Sequence, residues 1–243
     1  MTNDPILTLD VDWAPDFVID QVAHTLIENK VKATWFVTHH SEAIDRLKEH
    51  KELFELGIHP NMLLGSTHGR TEEQVLTHIK EIVPDAISMR THGLYQTSNW
   101  LTKACKDYGV LIDVSLFLPR AAHLCPHRFK WNGSSLLRIP YFWEDDSEMS
   151  EDKPIWRLSD ERLNVSGLRV FDFHPIHIAL NTDRFEKYEA LKRLRPVRLW
   201  DSGFIKEHVC AGAGPKHLFV DLVSKLAGNG KKIRDFLNST EET

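Results

Sequence analysis

Four apolar runs in this 243-residue chain end on residues able to hold a cation or move a proton. Asp10 and Asp12 follow the first, His59 a later one, Arg90 with His92 another, and His174 with His177 the last. Carboxylate and neutral imidazole ligate first-row divalent ions, and the same groups serve as general base and general acid. If the first strand continues to Trp13, Asp10 and Asp12 point to one face, where two carboxylates repel unless a cation lies between them. The chemistry such a set supports is metal-assisted hydrolysis, in which an ion makes water nucleophilic while a carboxylate and an imidazole handle protons.

Each residue also has a plainer reading. Asp12 could cap the helix that follows, and His59, placed before Pro60-Asn61, could be a satisfied turn residue. Arg90 could pair with any acid or orient a catalytic carboxylate. Asp172 alternates with His174 on one strand face, so a structural Asp172–His pair competes with a general-acid role for His174 or His177. The tetrad Trp143-Glu144-Asp145-Asp146 could add a substrate-facing acid or be an exposed loop. His39, His40, His68, His123 and His127 read as surface or loop residues, with His68 the reserve ligand.

Strands and helices alternate with short connections, the pattern of a parallel sheet or barrel with crossover helices. Ile6–Asp10 is a short buried strand, and Phe17, Val18, Val22, Leu26 and Ile27 place a helix over 15–28. Residues 32–38 are rich in β-branched and aromatic side chains, hence strand. Further strands are expected at 56–59, 86–89, 110–116, 136–142 and 168–173, and helices at 41–50, 71–83 and 98–107. Thr71-Glu-Glu-Gln74 is a capping box, and Gly109 suits a helix stop. Gly214-Pro215 opens a late helix, Gly228-Asn229-Gly230 ends it, and a last helix covers 233–237. The count of about seven strands suits a β/α barrel, whose strand ends gather functional groups on one rim. Residues 147–153, acidic and polar, read as a mobile surface loop. We expect one domain spanning residues 1–243.

Composition narrows the partners. A net charge of -5 with mixed signs offers no basic stripe to nucleic acid. No apolar run approaches the ~20 residues that span a bilayer, and the N-terminus lacks a leader-like pattern, so a cytoplasmic location is expected. Three scattered cysteines, Cys105, Cys125 and Cys210, argue against a disulfide framework and read as packing residues.

Taken together, these residues resemble the polysaccharide deacetylase family (the NodB-homology fold, carbohydrate esterase family 4). Thr8-Leu-Asp10-Val-Asp12 is similar to its Thr-Phe-Asp-Asp motif, and Ala33-Thr-Trp-Phe-Val37 to its Ala-Thr-Phe-Phe-Val strand. Glu55-Leu-Gly-Ile-His59 resembles Glu-Ile-Gly-x-His, Arg90-x-x-Gly93 is a loose form of Arg-Pro-Pro-Tyr-Gly, and Phe173-His174 resembles the closing Leu-x-His motif. The resemblance implies a distorted seven-stranded β/α barrel that removes an N-acetyl group from an acylated amino sugar with a divalent ion. Carried over, it implies Asp10 as general base, Arg90 as the residue orienting it, His174 as general acid, and Asp12 and His59 as ligands. The family's second metal His falls on Leu63 here, so the third ligand must come from elsewhere; His92 is the expected one. Asp-Val-Asp in place of adjacent aspartates leaves the roles of Asp10 and Asp12 exchangeable. Asp and His ligation suits zinc, with cobalt, nickel or manganese as alternatives. The departures suggest a divergent branch acting in bacterial surface-polysaccharide synthesis.

Two other readings stand beside this one. A metal-dependent phosphoesterase would also use Asp and His, although the strand ends lack a Lys/Arg cluster for phosphate. A non-catalytic carbohydrate-binding or regulatory protein on a degenerate deacetylase barrel would use some of the seven tryptophans to stack on sugars.

Overall fold

The structure, a computed structural model, describes residues 4–239; residues 1–3, part of the stretch read for a leader, lie outside it. Nine strands lie in one sheet among the described residues: β1 (Ile6–Asp10), β2 (Ala33–Val37), β3 (Phe54–Ile58), β4 (Ser88–Met89), β5 (Ile112–Asp113), β6 (His127–Trp131), β7 (Ser134–Arg138), β8 (Trp143–Glu144) and β9 (Val170–Phe173). Their order is β6-β7-β5-β4-β3-β2-β1-β9-β8, parallel throughout except for β6 against β7. β1, β2 and β9 are buried at every position, as continuous apolar runs covered on both faces must be.

Residues 134–144 close the sheet on itself. Their first half, β7, pairs with β5, while their second half, β8, pairs with β9 at the opposite end of the strand order. Between them the Ile139 amide donates to Asp113 O at 2.9 Å and the Phe142 amide to Val170 O at 2.8 Å. β7 and β8 therefore fill one barrel position, and β6 is an added hairpin arm, which leaves the seven positions of the distorted barrel expected from sequence. The hairpin itself went unread, though Asn132-Gly133 marks it: both residues have the positive φ, 46° and 75°, of a tight two-residue turn.

Helices pack outside: α1 (Asp16–Glu28), α2 (Glu42–Lys48), α3 (Glu72–Ile82), α4 (Ser98–Tyr108), α5 (Asp145–Met149), α6 (Pro175–Leu180), α7 (Phe185–Leu194), α8 (Ser202–His208), α9 (Pro215–Leu226) and α10 (Phe236–Ser239). Local signals act as expected where they are strong. Thr71 Oγ1 accepts the Gln74 amide at 3.2 Å, and Gly109 ends α4 with φ 68°. Residues 147–153 are not the polar loop expected: α5 takes the first of them, and Glu148 and Met149 are buried, Glu148 paired with Arg120. A charged side chain goes inside when a guanidinium meets it there, which local polarity does not reveal. Of the cysteines, Cys125 is exposed, contrary to a packing role, whereas Cys105 packs at the edge of the core. Five of the seven tryptophans are buried, so few are available for stacking on a sugar. Among the described residues no helix is long and apolar enough to cross a membrane.

Candidate active site

Parallel strands bring their C-terminal ends to one rim. β1 ends at Asp10, β3 just before His59, β4 just before Arg90, β9 just before His174, and β8 at Glu144, which leads into α5 with Asp145 and Asp146. All six residues marked from sequence, Asp10, Asp12, His59, Arg90, His92 and His174, meet on this rim.

Asp12 arrives by a route that strand alternation does not anticipate. β1 stops at Asp10 instead of continuing to Trp13, and Asp12 and Trp13 take φ of 41° and 54°, left-handed values that cost a non-glycine residue energy. The Trp13 amide donates to Thr38 Oγ1 at 3.1 Å and holds the turn. Pro15, the cap of α1, receives no side-chain help, so Asp12 is not a helix cap. Strain of this kind persists where surrounding contacts over-determine it, often at functional sites.

Three potential ligand atoms form a near-equilateral triangle. Asp12 Oδ1 lies 3.1 Å from His59 Nε2 and 3.2 Å from His92 Nδ1, and those nitrogens are 3.2 Å apart. His59 Nδ1 is 2.8 Å from the Arg90 carbonyl oxygen. A carbonyl only accepts, so Nδ1 carries the proton and Nε2 presents a lone pair to the triangle. That lone pair faces a carboxylate oxygen that is buried and makes no hydrogen bond. A cation removes the conflict, and edges of this length are close to the ~3.3 Å between ligands of a tetrahedral ion bound at about 2.0–2.1 Å. The donor set therefore fits a first-row divalent ion. Burial opposes ionisation of Asp12, yet the neighbouring imidazoles, His174 first, outweigh it and hold the carboxyl well below the usual range. Burial likewise disfavours charge on His92, but Asp12 wins and raises it.

Flanking the triangle are two polar assemblies. On one side Asp10, 3% exposed, accepts from Arg90 Nη1 at 2.9 Å, with its other oxygen 3.5 Å from His59 Nε2. The Arg90 guanidinium is itself clamped between the rings of Phe36 and Tyr141, at 4.6 and 4.5 Å. On the other side His174 Nε2 lies 3.5 Å from Asp12 Oδ2, while Nδ1 donates to Asp145 Oδ1 at 2.7 Å. Burial works against the imidazolium of His174, but Asp146, Asp145 and Asp12 together raise it well above its ordinary value.

The structural Asp172–His pair that competed with a general-acid role does not form: Asp172 turns to Thr8 and Arg90, and Asp145 takes its place at His174. His177 lies 2.8 Å from Asp146 Oδ1 instead. Asp146, in contact with His174 and His177, sits down at about 2 despite burial, whereas burial and the nearby Asp146 push Glu144 up to about 8 against the pull of His174. His68, read as a surface or loop residue and reserve ligand, is buried outside the triangle. Its Nδ1 accepts the Asn61 amide at 3.1 Å, and its ring lies against Trp13 and His78. Desolvation drives it down to about 4. Leu63, where a metal His would stand, packs instead beside the turn that carries His92: one of its methyls would come within 3.2 Å of a Cβ at Gly93.

Residues 7–192 match the family model WbmS-like polysaccharide deacetylase. The chain belongs to that family. This WbmS-like chain is also 30% identical to a Bordetella bronchiseptica protein, WbmS, described as a candidate polysaccharide deacetylase involved in O-antigen biosynthesis; 91% of this chain and 90% of that one superpose with a TM-score of 0.77. A 4-alpha-glucanotransferase from Thermococcus litoralis shares the fold at 12% identity, covering 97% of this chain and 38% of that one, TM-score 0.51. A family 4 carbohydrate esterase from Bacillus anthracis is 15% identical over 98% of this chain and 84% of that one, TM-score 0.44. No curated protein matches the WbmS-like chain in sequence.

Asp145, in the WbmS-like site, and Glu55, far from it, are not singled out as individuals by the sequence. Asp145 was hidden in an acidic tetrad whose members looked equivalent; its place as the first residue after a strand was the usable signal. Glu55 was quoted only as part of a motif, yet it is 2% exposed and binds Thr34 and Ser88 side chains at 2.9 and 2.8 Å, fastening β2, β3 and β4 at the end away from the site.

Proposed function

We propose that the chain is a metal-dependent N-deacetylase that removes the acetyl group from an acylated amino sugar during surface-polysaccharide synthesis. The observation that carries this reading is the Asp12–His59–His92 triangle with a carboxylate, Asp10, on one side and an imidazole, His174, on the other. Family membership supports deacetylation, and the description of the Bordetella relative supports a surface polysaccharide as the context.

Asp12, His59 and His92 would hold the ion, which when bound lowers the pKa of water and polarises the acetyl carbonyl. Zinc suits the ligand set, with cobalt, nickel and manganese as alternatives. Asp10, aimed by Arg90, takes the proton of the attacking water. His174, cationic and fixed through Nδ1 by Asp145, gives the Nε2 proton to the leaving nitrogen. Without that proton the departing group is an amide anion, a far poorer leaving group than an amine.

The test is acetate release from N-acetylated amino-sugar oligomers by the zinc-loaded protein. Activity should vanish on chelation, return with zinc, and be abolished in Asp10→Asn while zinc stays bound. Phosphate release from esters with no acetate release would favour a phosphoesterase, and saturable glycan binding without turnover in any metal would favour a binding protein.

A further inference from the structure

Asp172 lies in β9, a strand with both faces buried, and is itself completely buried. Its Oδ1 meets Thr8 Oγ1 at 2.9 Å and the Nη1 of Arg90, while Oδ2 makes no hydrogen bond. The same Nη1 donates to Asp10 Oδ1 at 2.9 Å, Nη2 donates to Thr8 Oγ1 at 2.9 Å, and Nε reaches Val114 O at 3.3 Å. One guanidinium thus faces two carboxyl groups where water cannot reach. Were both ionised, the group would carry a net negative charge with one carboxylate oxygen unsolvated, a costly state.

A neutral Asp172 removes the surplus charge and gives each polar hydrogen in the contacts around Arg90 and Thr8 an acceptor. Its Oδ1–H donates to Thr8 Oγ1, and the Thr8 hydroxyl passes its own proton to the Phe171 carbonyl oxygen, 2.8 Å away. Thr8 Oγ1 keeps a second lone pair for Arg90 Nη2, and the bare Oδ2 is a carbonyl oxygen instead of half an anion.

We propose that Asp172 is a positioning residue for Asp10: as an uncharged acid it fixes the Arg90 guanidinium from one side and leaves the whole positive charge to the Asp10 carboxylate. This rests on the reading of Asp10 as the general base. Burial, over the opposing attraction of Arg90, holds the Asp172 carboxyl well above the usual carboxylate range, in agreement with that state.

Asp172→Asn preserves the shape and neutrality of the group, whereas Asp172→Leu removes the contact to Arg90. In the full zinc-loaded chain the wild type should show the infrared carbonyl stretch of a protonated acid that is missing in Asp172→Asn. Asp172→Leu should lower kcat about ten- to a hundredfold with KM and zinc content unchanged, and Asp172→Asn should recover most of that loss. A crystal structure of Asp172→Leu should find Arg90 displaced from Asp10. No such infrared band, Asp172→Asn as impaired as Asp172→Leu, or Arg90 unmoved with full kcat would each overturn the proposal. If Asp172→Leu fails to fold, the infrared band and the kcat of Asp172→Asn decide. If the wild type releases no acetate, the functional reading fails on its own, and the infrared band with the Arg90 geometry still judges Asp172.

Discussion

His174 Nδ1 lies 2.7 Å from Asp145 Oδ1, and the other oxygen of that carboxylate accepts the His174 amide at 2.8 Å. One fully buried carboxylate thus fixes both the ring and the backbone of the residue. Because Nδ1–H is committed to Asp145, proton exchange with anything in the site must occur at Nε2, which faces Asp12. A pKa raised in the folded state means that the charged His174 contributes stability below its ordinary value, a contribution lost as pH rises through the raised one.

Replacing Asp145 by Asn therefore lowers the pKa of His174 and moves the alkaline limb of kcat to lower pH. NMR titration of the His174 ring in wild type and variant checks this. An unshifted titration would show that Asp145 does not support the imidazolium.

His59→Ala and His92→Ala each weaken zinc binding by more than the about 10- to 100-fold that losing one supporting hydrogen bond of a ligand costs. His68→Ala leaves zinc affinity near wild type, because its ring lies outside the triangle. Calorimetric titration with zinc distinguishes these. Chelation also lowers the melting temperature, since an ion at a hundred times its Kd stabilises the fold by about 2.7 kcal/mol. A His92→Ala protein with undiminished affinity would remove His92 from the ligand set.

Glu144, pushed up to about 8 by burial and nearby carboxylates, is protonated at neutral pH. Its unfolded counterpart ionises near 4.5, so folding loses stability as pH rises from that value through about 8. At ~1.4 kcal/mol per unit, and allowing for its partial solvent access, the loss is on the order of a few kcal/mol. Glu144→Gln abolishes this slope: denaturant melts of wild type and variant should diverge between pH 5 and 8, with the variant the more stable at about pH 8. Parallel curves would place the ionisation elsewhere.

Gly57 sits where a Cβ would come within 2.6 Å of Ser88 Oγ and 2.7 Å of the Phe36 ring. Phe36 is one of the two rings holding Arg90. Gly57→Ala should cost about 1–3 kcal/mol of stability by overpacking and also lower kcat by disturbing Arg90. Thermal melts paired with kcat measure both, and a variant with unchanged stability would show that the strands spread without strain.

Much of this architecture is legible in the sequence itself. Continuous apolar runs at Ile6–Asp10 and Val170–Phe173 mark strands buried on both faces, and ionisable residues at their ends mark the rim. Thr71 and Gly109 punctuate helices through contacts within a few residues, which is why such signals are legible. The parallel order follows from helices that alternate with strands, and with it the meeting of Asp10, His59, Arg90 and His174.

Tertiary structure alone decided the partners. His174 could have paired with Asp172, two residues away, but takes Asp145, 29 residues away, because β8 lies beside β9 and sends α5 over the strand end. Asp12 reaches His59 and His92 through a left-handed turn that no spacing rule implies. Closure of the barrel by residues 134–144, paired to one edge and then the other, depends on hydrogen bonds to strands far apart in the chain. Spacing encodes which face a side chain occupies; which charge stands opposite it is set by the strand neighbours and the water they exclude.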